Sequence, residues 1–393
     1  MSEWKEQELG EYVDLISGYA FKSKDFADIH EKDFLPVIKI KNVANGDVNF
    51  DQVVYHKTEE TLSKYVLKKG DVLIAMTGNH PHAKSQVVGD VSKYKLEQNA
   101  LLNQRVGKFV AKKETPLDFI YFFLKDRDVH NYLANQSSGS ANQANISKST
   151  ILGLKLNFPD LPEQKAIAEV LSSLDDKIDL LYRQNETLET MAETLFQQWF
   201  IEEAEEDWKE ESLSEVANFL NGLACQKYPP KNPVEKLPVL KIRELKNGIT
   251  ESSDWASTDI GEEYIVENGD VIFSWSASLL VKLWDGETSI LNQHLFKVTS
   301  ERFPKWFIYL WCKYHLERFQ AIARAHATTM GHIKRKDLDE ALVKYPVERI
   351  DEIGESFEPI ISKIIENNKQ KKSLEELRDN LLPKLMCREA RVG

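Results

Sequence analysis

Two groups of polar side chains could bind the edges of nucleic-acid bases, one group in each half of the chain. Asparagine and glutamine can form paired hydrogen bonds to adenine, arginine and lysine to guanine, and serine or threonine to several bases. Neighbouring lysines and arginines can neutralise phosphates. The candidates in the first half are Asn79, His80, His82, Lys84, Asn142, Gln143, Asn145 and Lys148. Those in the second half are Trp275, Ser276, Lys282, Arg324, His326, Thr328, Thr329, His332, Lys334 and Arg335. A solvated loop position explains any single one of them as well as a base contact does.

Catalytic and metal-binding patterns do not fit these residues. Residues 78–85 have Ala83 where a phosphate-binding P-loop needs its second glycine, and the following residues predict an extended chain rather than a helix. His80 and His82 could share a metal ion, but no third ligand has a suitable spacing. The three cysteines are far apart and predict neither a disulfide framework nor a zinc site. We therefore expect no active site, no cofactor and no metal in this chain.

The chain contains two copies of one sequence unit, which predicts two similar domains. The segments that return in order are residues 3–6 and 207–210, 35–46 and 237–248, 65–74 and 264–273, 102–104 and 291–293, 119–121 and 307–309, and 158–159 and 345–346. Short β-rich runs with glycine turns and a few helical stretches predict a mixed α/β scaffold for each copy. In the first copy, residues 137–145 predict a small polar loop before a strand at 151–156.

The first copy is followed by a stretch with the spacing of a long amphipathic helix. Between residues 160 and 200, apolar side chains recur every three or four positions for about four and a half heptads. Asp160 is the predicted N-cap, with Pro162 in the first turn. Such a helix needs a partner of similar length to cover its apolar face.

The second copy supplies that partner at residues 347–386. The apolar pattern is less regular there, because Asn367, Lys371 and Arg378 interrupt it. We expect the two helices to pack on each other, preferably antiparallel, with Asn185 and Asn367 in a polar layer that fixes the register. The alternative is that each helix packs on an ordinary globular core.

The two copies differ most between residues 74 and 102, where the second copy is shorter by ten residues. A shared framework with one remodelled loop is what two domains with different targets would require. Ordinary variation of surface loops explains the difference equally well.

Charge is distributed unevenly along the chain. The net charge of −12 lies mainly in residues 159–206, which carry 13 acidic and three basic residues. Both globular copies are close to neutral, so a basic face on each is possible and the acidic total does not exclude nucleic acid. No apolar run is long enough to cross a bilayer, and the first residues do not resemble a signal peptide. We therefore expect a cytoplasmic protein without a membrane partner.

The sequence resembles the specificity (S) subunits of type I restriction–modification systems over essentially its whole length. The resemblance lies in the tandem copies, the Gly-Asp-Val strands, the small polar loop before a hydrophobic strand, and the motif Phe-Pro-x-Leu-Pro-Glu-Gln-x-x-Ile at residues 158–167. The second copy departs from that motif and reads Pro-Val-Glu-Arg-Ile-x-x-Ile at residues 346–353. This departure concerns partner binding by the second helix rather than the architecture.

The fold class that these observations and the resemblance imply is α+β. Two tandem mixed α/β target-recognition domains are expected at residues 1–158 and 207–346. Each is followed by a long helix, at residues 159–206 and 347–393, and the helices are expected to pack as an antiparallel coiled coil with pseudo-twofold symmetry.

The resemblance also implies a function. Each domain would recognise one half of a bipartite target in double-stranded DNA, and the helices would set the spacing and dock two modification (M) subunits that methylate adenine. The chain would be non-catalytic, and S-adenosylmethionine, ATP and magnesium would be bound by the M subunits and by restriction (R) subunits. One alternative is a coiled-coil protein-interaction scaffold with two adaptor domains and no DNA binding. Another is an enzyme whose active site the sequence does not reveal.

Overall fold

The computed structural model describes residues 4–29, 31–44, 47–79, 88–140, 143–250, 252–325 and 331–390. The chain divides into two compact units. We call residues 1–176 with 376–393 the first unit, and residues 177–375 the second unit. The two longest helices contribute residues to both.

The first unit is built from short strands and helices. Its strands are β1 (Lys5–Glu8), β2 (Val13–Ser17), β3 (Phe34–Ile38), β4 (Val43–Ala44), β5 (Asp47–Val48), β6 (Val54–Lys57), β7 (Val66–Leu67), β8 (Val72–Ala75), β9 (Thr77–Gly78), β10 (Val91–Lys93), β11 (Ala100–Leu102), β12 (Val106–Ala111), β13 (Ser138–Ser140), β14 (Gln143–Asn145) and β15 (Lys155–Phe158). Its helices are α1 (Leu117–Lys125), α2 (Arg127–Asn135), α3 (Lys148–Leu152) and the first half of α4 (Leu161–Phe196). Short 3-10 helices lie at Leu9–Glu11, Ser23–Asp25, Ile40–Asn42 and Glu60–Tyr65.

The second unit uses the same kinds of element. Its strands are β16 (Lys209–Ser212), β17 (Asn218–Asn221), β18 (Lys236–Leu240), β19 (Trp255–Ser257), β20 (Ile265–Val266), β21 (Val271–Ser274), β22 (Leu280–Leu283), β23 (Ser289–Leu291), β24 (Leu295–Thr299) and β25 (Leu342–Tyr345). Its helices are the second half of α4 with a π-helical turn at Gln197–Glu202, α5 (Leu213–Val216), α6 (Ile242–Asn247), α7 (Lys305–Ala325), α8 (Arg335–Asp339) and most of α9 (Ile350–Met386). Short 3-10 helices lie at Cys225–Lys227 and Glu262–Tyr264.

The sheets of the two units have the same topology. In the described residues, the order β2-β12-β8-β10 of the first unit matches β17-β24-β21-β22 of the second. Likewise β6-β3-β11-β7 matches β19-β18-β23-β20, and the pair β1-β15 matches β16-β25. The first unit adds β5 and β4 to one sheet and a separate sheet β13-β14-β9. The tandem repeat predicted from the sequence is confirmed.

Two glycines show why the repeated residues are the same. A Cβ on Gly18 would lie 2.1 Å from the carbonyl oxygen of Asn103, and one on Gly222 would lie 2.3 Å from that of Asn292. Backbone approaches this closely in both units, so only glycine fits either position.

A lysine–aspartate pair recurs in the same way beside the glycine turns. Nζ of Lys108 lies 3.3 Å from Oδ2 of Asp71, and Nζ of Lys297 lies 2.9 Å from Oδ2 of Asp270. Both pairs are mostly shielded from solvent, which strengthens their attraction. The shared sequence therefore preserves the framework of each unit.

The long helices pack antiparallel, as predicted. Within the second unit, Nδ2 of Asn185 donates to Oδ1 of Asn368 at 2.7 Å. Trp199, in the π-helical turn that continues α4, contacts the earlier Phe357 of α9, with ring centroids 5.9 Å apart. Within the first unit, the start of α4 and the end of α9 share one hydrophobic core. The predicted N-cap is also confirmed, because Oδ1 of Asp160 accepts a hydrogen bond from the backbone N of Glu163 at 3.0 Å.

The polar residues that interrupt the apolar face of α9 each have a partner. Asn367 binds Asn185 across the helix pair, and Nζ of Lys371 lies 3.1 Å from Oδ2 of Asp285 in the second unit. In the first unit, Arg378 also binds a carboxylate, at 2.8 Å. These interruptions are specific contacts rather than weak points in the pairing.

Two local predictions were wrong. Residues 137–145, predicted to be a loop, contain the antiparallel strands β13 and β14. The strand predicted at 151–156 begins only at Lys155, because Oγ of Ser147 accepts a hydrogen bond from the backbone N of Thr150 and caps α3. Polar composition favoured a loop, but pairing with the distant β9 decides the structure.

Candidate nucleic-acid interface

In the first unit, β14 and β9 bring Asn145 to the centre of a small polar group. Asn145 lies opposite Thr77 in the antiparallel pairing, and Oγ1 of Thr77 donates to its Oδ1 at 2.6 Å. Nη1 of Arg105 donates to the same oxygen at 3.4 Å. Thr77 is buried and Arg105 is exposed, so this amide is held between the core and a cation at the surface. Asn79 follows β9 directly, and its carbonyl accepts a hydrogen bond from Val88 at 3.2 Å.

Two other first-half candidates, Gln143 and Lys148, lie close to Asn145 in the chain. Gln143 lies in β14, where it pairs with Ser140. Lys148 begins α3, and its Nζ lies 2.8 Å from Oδ1 of Asp14. The hydrogen bond from Lys148 holds the pKa of Asp14 below its ordinary value. Four candidates lie outside the described residues: His80, His82, Lys84 and Asn142.

In the second unit, Trp275, Ser276 and His332 lie together beyond the end of β21. Ser276 and His332 form an antiparallel β-bridge. Nε1 of Trp275 donates to Oδ1 of Asn221 at 3.1 Å, and the Trp275 ring centroid lies 5.9 Å from that of His294 and 6.5 Å from that of His332. Oγ of Ser276 lies 3.3 Å from Nδ1 of His294. The result is a cluster of aromatic and polar groups at the end of a strand.

The other described second-half candidates lie at the end of α7, at the start of α8 and in β22. Arg324 is exposed at the end of α7, and Lys334 and Arg335 are exposed where α8 begins. Lys282 lies in β22, and its Nζ is 2.7 Å from Oδ1 of Asp285, which also binds a lysine of α9. The structure therefore places Lys282 in an ion-pair network rather than beside the tryptophan. Three candidates, His326, Thr328 and Thr329, lie outside the described residues.

A cavity of about 470 Å³ opens next to the Trp275 cluster. Asn221 and Phe296 line it, and both contact Trp275, the ring of Phe296 being stacked on the indole at 5.8 Å. Arg302 and Arg335 also line the cavity. Arg302 already binds a carboxylate of β16 at 2.8 Å, so Arg335 supplies the exposed positive charge on this rim. Glu215 and Glu301 also line the cavity, so its lining carries charges of both signs.

Sequence reasoning missed several members of these groups. Arg105 and His294 each follow an identical Leu-Asn-Gln segment, at 102–104 and 291–293, and are therefore the first position at which the repeated segments differ. Ser17, whose Oγ donates to Sδ of Met76 at 3.8 Å, and Asn221 likewise precede a shared glycine. Comparing the two copies position by position would have found all four.

Two features of the described residues bear on membrane insertion and on metal binding. None of the helices in the described ranges is both long and apolar enough to cross a membrane. The same ranges contain no group of three or more His, Cys, Asp or Glu side chains arranged to hold a metal ion.

Two copies of one α/β scaffold, each continuing into a long helix and each carrying a polar group at the same place, define a tandem-domain protein. The family model described as type I restriction modification DNA specificity domain matches residues 1–190 and 205–376. The chain therefore belongs to this family, as its sequence motifs predicted. Membership makes it a non-catalytic specificity component, because catalysis in these systems lies in other subunits.

Individual relatives agree with this assignment. The chain is 25% identical to the type I restriction enzyme MjaIX specificity subunit of Methanocaldococcus jannaschii, over 91% of this chain and 90% of that protein. It is 32% identical to the MjaVIII specificity subunit of the same organism, over 48% of this chain and 43% of that protein. The crystal structure of a type I restriction–modification S subunit from M. genitalium aligns over 98% of this chain and 96% of that chain, with a TM-score of 0.57 and 16% identity. That similarity supports the fold.

Proposed function

We propose that this chain is the DNA-recognition subunit of a type I restriction–modification complex and that it reads a bipartite target through its two units. One observation carries the proposal. The same scaffold position holds a polar group in each unit, yet the side chains there differ, with Arg105 and Asn145 in the first unit and His294 and His332 in the second. Two readers of different half-sites need this combination of a common frame and different contacts.

The long helices would carry the partner subunits. Leu180 and Met191 of α4 expose 40% and 50% of their surface and lie on the same face of the helix. Tyr182 exposes 56% but lies on the opposite face. Within the second unit, Leu180 and Leu188 also line an open groove of about 470 Å³ whose far wall includes Lys363 of α9. Exposed apolar groups in one region are typical of protein-binding surfaces. This arrangement supports docking of modification subunits on the helix pair. We further propose that the modification subunits bind S-adenosylmethionine and that restriction subunits bind ATP and magnesium.

The docking surface can be tested without disturbing the core. Leu180→Glu with Met191→Glu changes two exposed positions, so the thermal unfolding midpoint should stay near that of the parent chain. Co-purification of a co-expressed modification subunit should fall at least tenfold, because a charge then faces the apolar contact. Thr190→Glu is the matched control, since Thr190 is exposed beside Met191 but on a different face of the helix. Equal recovery of the modification subunit with the parent, the double variant and Thr190→Glu would rule out this surface.

The recognition proposal is tested by mapping methylation. The chain is expressed with its modification subunit in a host that lacks adenine methylation, and the genome is sequenced by a single-molecule method that detects methylated adenine. We expect one motif with two specified halves separated by a fixed spacer, and we expect it to be absent when this chain is omitted. A motif that does not depend on the chain, or the absence of any motif although the subunits co-purify, would favour the scaffold function instead.

Salt dependence provides an independent test. Binding that neutralises phosphates releases counterions, so the affinity of the assembled complex for its target should fall by about 10³ or more between 50 and 200 mM salt. Fluorescence anisotropy with a labelled duplex measures this slope. An affinity that does not change with salt would contradict DNA binding through basic side chains.

A further inference from the structure

The backbone around the two polar groups is held in the same way in both units. The N–H of Ile146 donates to the carbonyl of Met76 at 3.0 Å, and the N–H of Ile333 donates to the carbonyl of Trp275 at 3.1 Å. The turns that precede β12 and β24 are closed by equivalent backbone hydrogen bonds to Asn103 and Asn292, each 2.9 Å long. Side chains at corresponding positions of the two units are therefore carried by backbone with the same hydrogen bonds.

Five positions in each unit contact one another within this frame. We call Ser17, Met76, Thr77, Arg105 and Asn145 the first contact set, and Asn221, Trp275, Ser276, His294 and His332 the second contact set. Corresponding members occupy the same positions in the repeat, and in four of the five pairs the two side chains are buried to a similar extent. Only the pair Asn145 and His332 differs, the first being half-buried and the second exposed.

The contacts inside the two sets are similar but not identical. In the first unit, Ser17 at the end of β2 contacts the half-buried Met76 at 3.8 Å. In the second unit, Asn221 at the end of β17 contacts the half-buried Trp275 at 3.1 Å. The next residue along the chain, Thr77 in the first unit and Ser276 in the second, is buried and carries a hydroxyl. In the first unit, the hydroxyl of Thr77 and the guanidinium of Arg105 both donate to Oδ1 of Asn145. In the second unit, the hydroxyl of Ser276 contacts the imidazole of His294 directly.

The chemistry of the exposed member differs sharply between the sets. Arg105 carries a guanidinium with several donors in a planar fork, which matches the two acceptors on the major-groove edge of guanine. His294 carries an imidazole beside the Trp275 ring, which has no such fork and favours other edges and the apolar face of a base. The glycines that follow the first member of each set, Gly18 and Gly222, are identical and can carry no difference in specificity.

We infer that the two contact sets are the base-reading elements of their units, and that Arg105, aligned by Asn145 and Thr77, specifies a guanine in the first half-site. His294 holds the corresponding reading position for the second half-site. Exchanging these two side chains between the units exchanges base preference at one position of each half-site. This inference deepens the proposed function and rests on it.

The exchange is tested by methylation mapping of the complete complex. Arg105→His should weaken the preference for guanine at one position of the first half-site by tenfold or more, and leave the second half-site unchanged. His294→Arg should create a preference for guanine at one position of the second half-site and leave the first unchanged. Lys155→His is the matched control, because it removes the same charge from an exposed position of β15 outside the set, and its motif should equal that of the parent.

The outcomes separate the inference from the proposed function. If the parent complex gives no motif, the proposed function fails. If the parent gives a motif and both exchanged variants give the same motif, the inference is wrong. If Arg105→His abolishes methylation altogether, Arg105→Gln decides, because a glutamine amide matches adenine rather than guanine. Loss of guanine preference in Arg105→Gln supports the inference, and an unchanged motif overturns it.

Discussion

Nδ2 of Asn367 donates a hydrogen bond to Oδ1 of Asn185 at 2.9 Å, across the pair formed by α4 and α9 in the second unit. Asn185 in turn donates to Asn368 at 2.7 Å, and both asparagines of α9 are buried. A buried amide layer in a helix pair favours the one alignment in which its partners meet, because any other alignment leaves polar groups without hydrogen bonds.

Replacing Asn185 should therefore destabilise the helix pair. Asn185→Ala leaves Asn367 and Asn368 without their partner and should lower the free energy of unfolding by about 1–3 kcal/mol. Urea unfolding of the full chain measures the effect. Gln184→Ala, at the exposed neighbouring position of the same helix, should stay within about 0.5 kcal/mol of the parent. Equal stability of the two variants would show that the layer contributes nothing.

Arg378 and Asp175 form a mostly buried ion pair in the first unit, with Nη1 and Oδ1 2.8 Å apart. Burial lowers the pKa of Arg378, but hydrogen bonds to Asp379 and Asp175 outweigh it and hold the pKa above its ordinary value. Arg378→Met leaves the carboxylate of Asp175 buried and unpaired, and should cost about 3–5 kcal/mol.

The double change Asp175→Leu with Arg378→Met removes both charges and should recover most of that loss. A thermal or urea double-mutant cycle measures the coupling between the two positions. Losses that simply add would mean that the pair is not coupled.

Glu211 links three partners in the second unit and should make stability depend on pH. Burial raises the pKa of Glu211, but hydrogen bonds from Lys209, Tyr345 and Arg302 outweigh it and lower the pKa to about 2. Because the folded-state pKa lies below the ordinary value of 4.5, the stabilisation is complete above pH 4.5. It is lost as the pH falls from there towards 2.

Comparing Glu211→Gln with the parent isolates this contribution. The difference in free energy of unfolding should be largest near pH 6 and should shrink as the pH falls through 4 to 3. Glu210→Gln, on the same strand, is the control and should follow the parent curve. A constant difference between the parent and Glu211→Gln at every pH would exclude the linkage.

The spacing role that the family resemblance implies for the helices predicts a change in target length. One heptad inserted after Asp176 and another after Glu375 places the additions where each long helix passes from one unit to the other, so contacts inside both units are kept. A heptad adds about 10.5 Å of helix, which equals about three base pairs of DNA. Methylation mapping should show a spacer longer by about three base pairs with both half-sites unchanged. An unchanged spacer would contradict the spacing function.

The sequence predicted the features that depend on local pattern or on repetition. The heptad spacing of residues 160–200, the N-cap at Asp160 and the pairing of Asn185 with Asn367 all follow from side chains that recur at fixed intervals. The buried rings of Phe196 and Phe200 were not predicted, because they lie off the apolar stripe and pack on α7 of the globular part of the second unit. Helix periodicity does not report a second packing surface.

The candidate site was predicted less well for a similar reason. Asn145 was identified by its amide, but the donors that hold it, Thr77 and Arg105, are 68 and 40 residues away in the chain. Contacts of this kind depend on how β9, β12 and β14 assemble, and no local pattern encodes them. The boundaries of the four predicted segments remain predictions.

The way the two units divide the chain has a consequence for its synthesis. The second unit is one continuous segment, whereas the first unit is closed by residues 376–393, in which Leu382 and Leu385 pack with Ile167 and Leu171. During translation, every residue of the second unit is therefore synthesised before the last segment of the first unit. Until that segment is synthesised, the nascent chain exposes the apolar side chains at the start of α4.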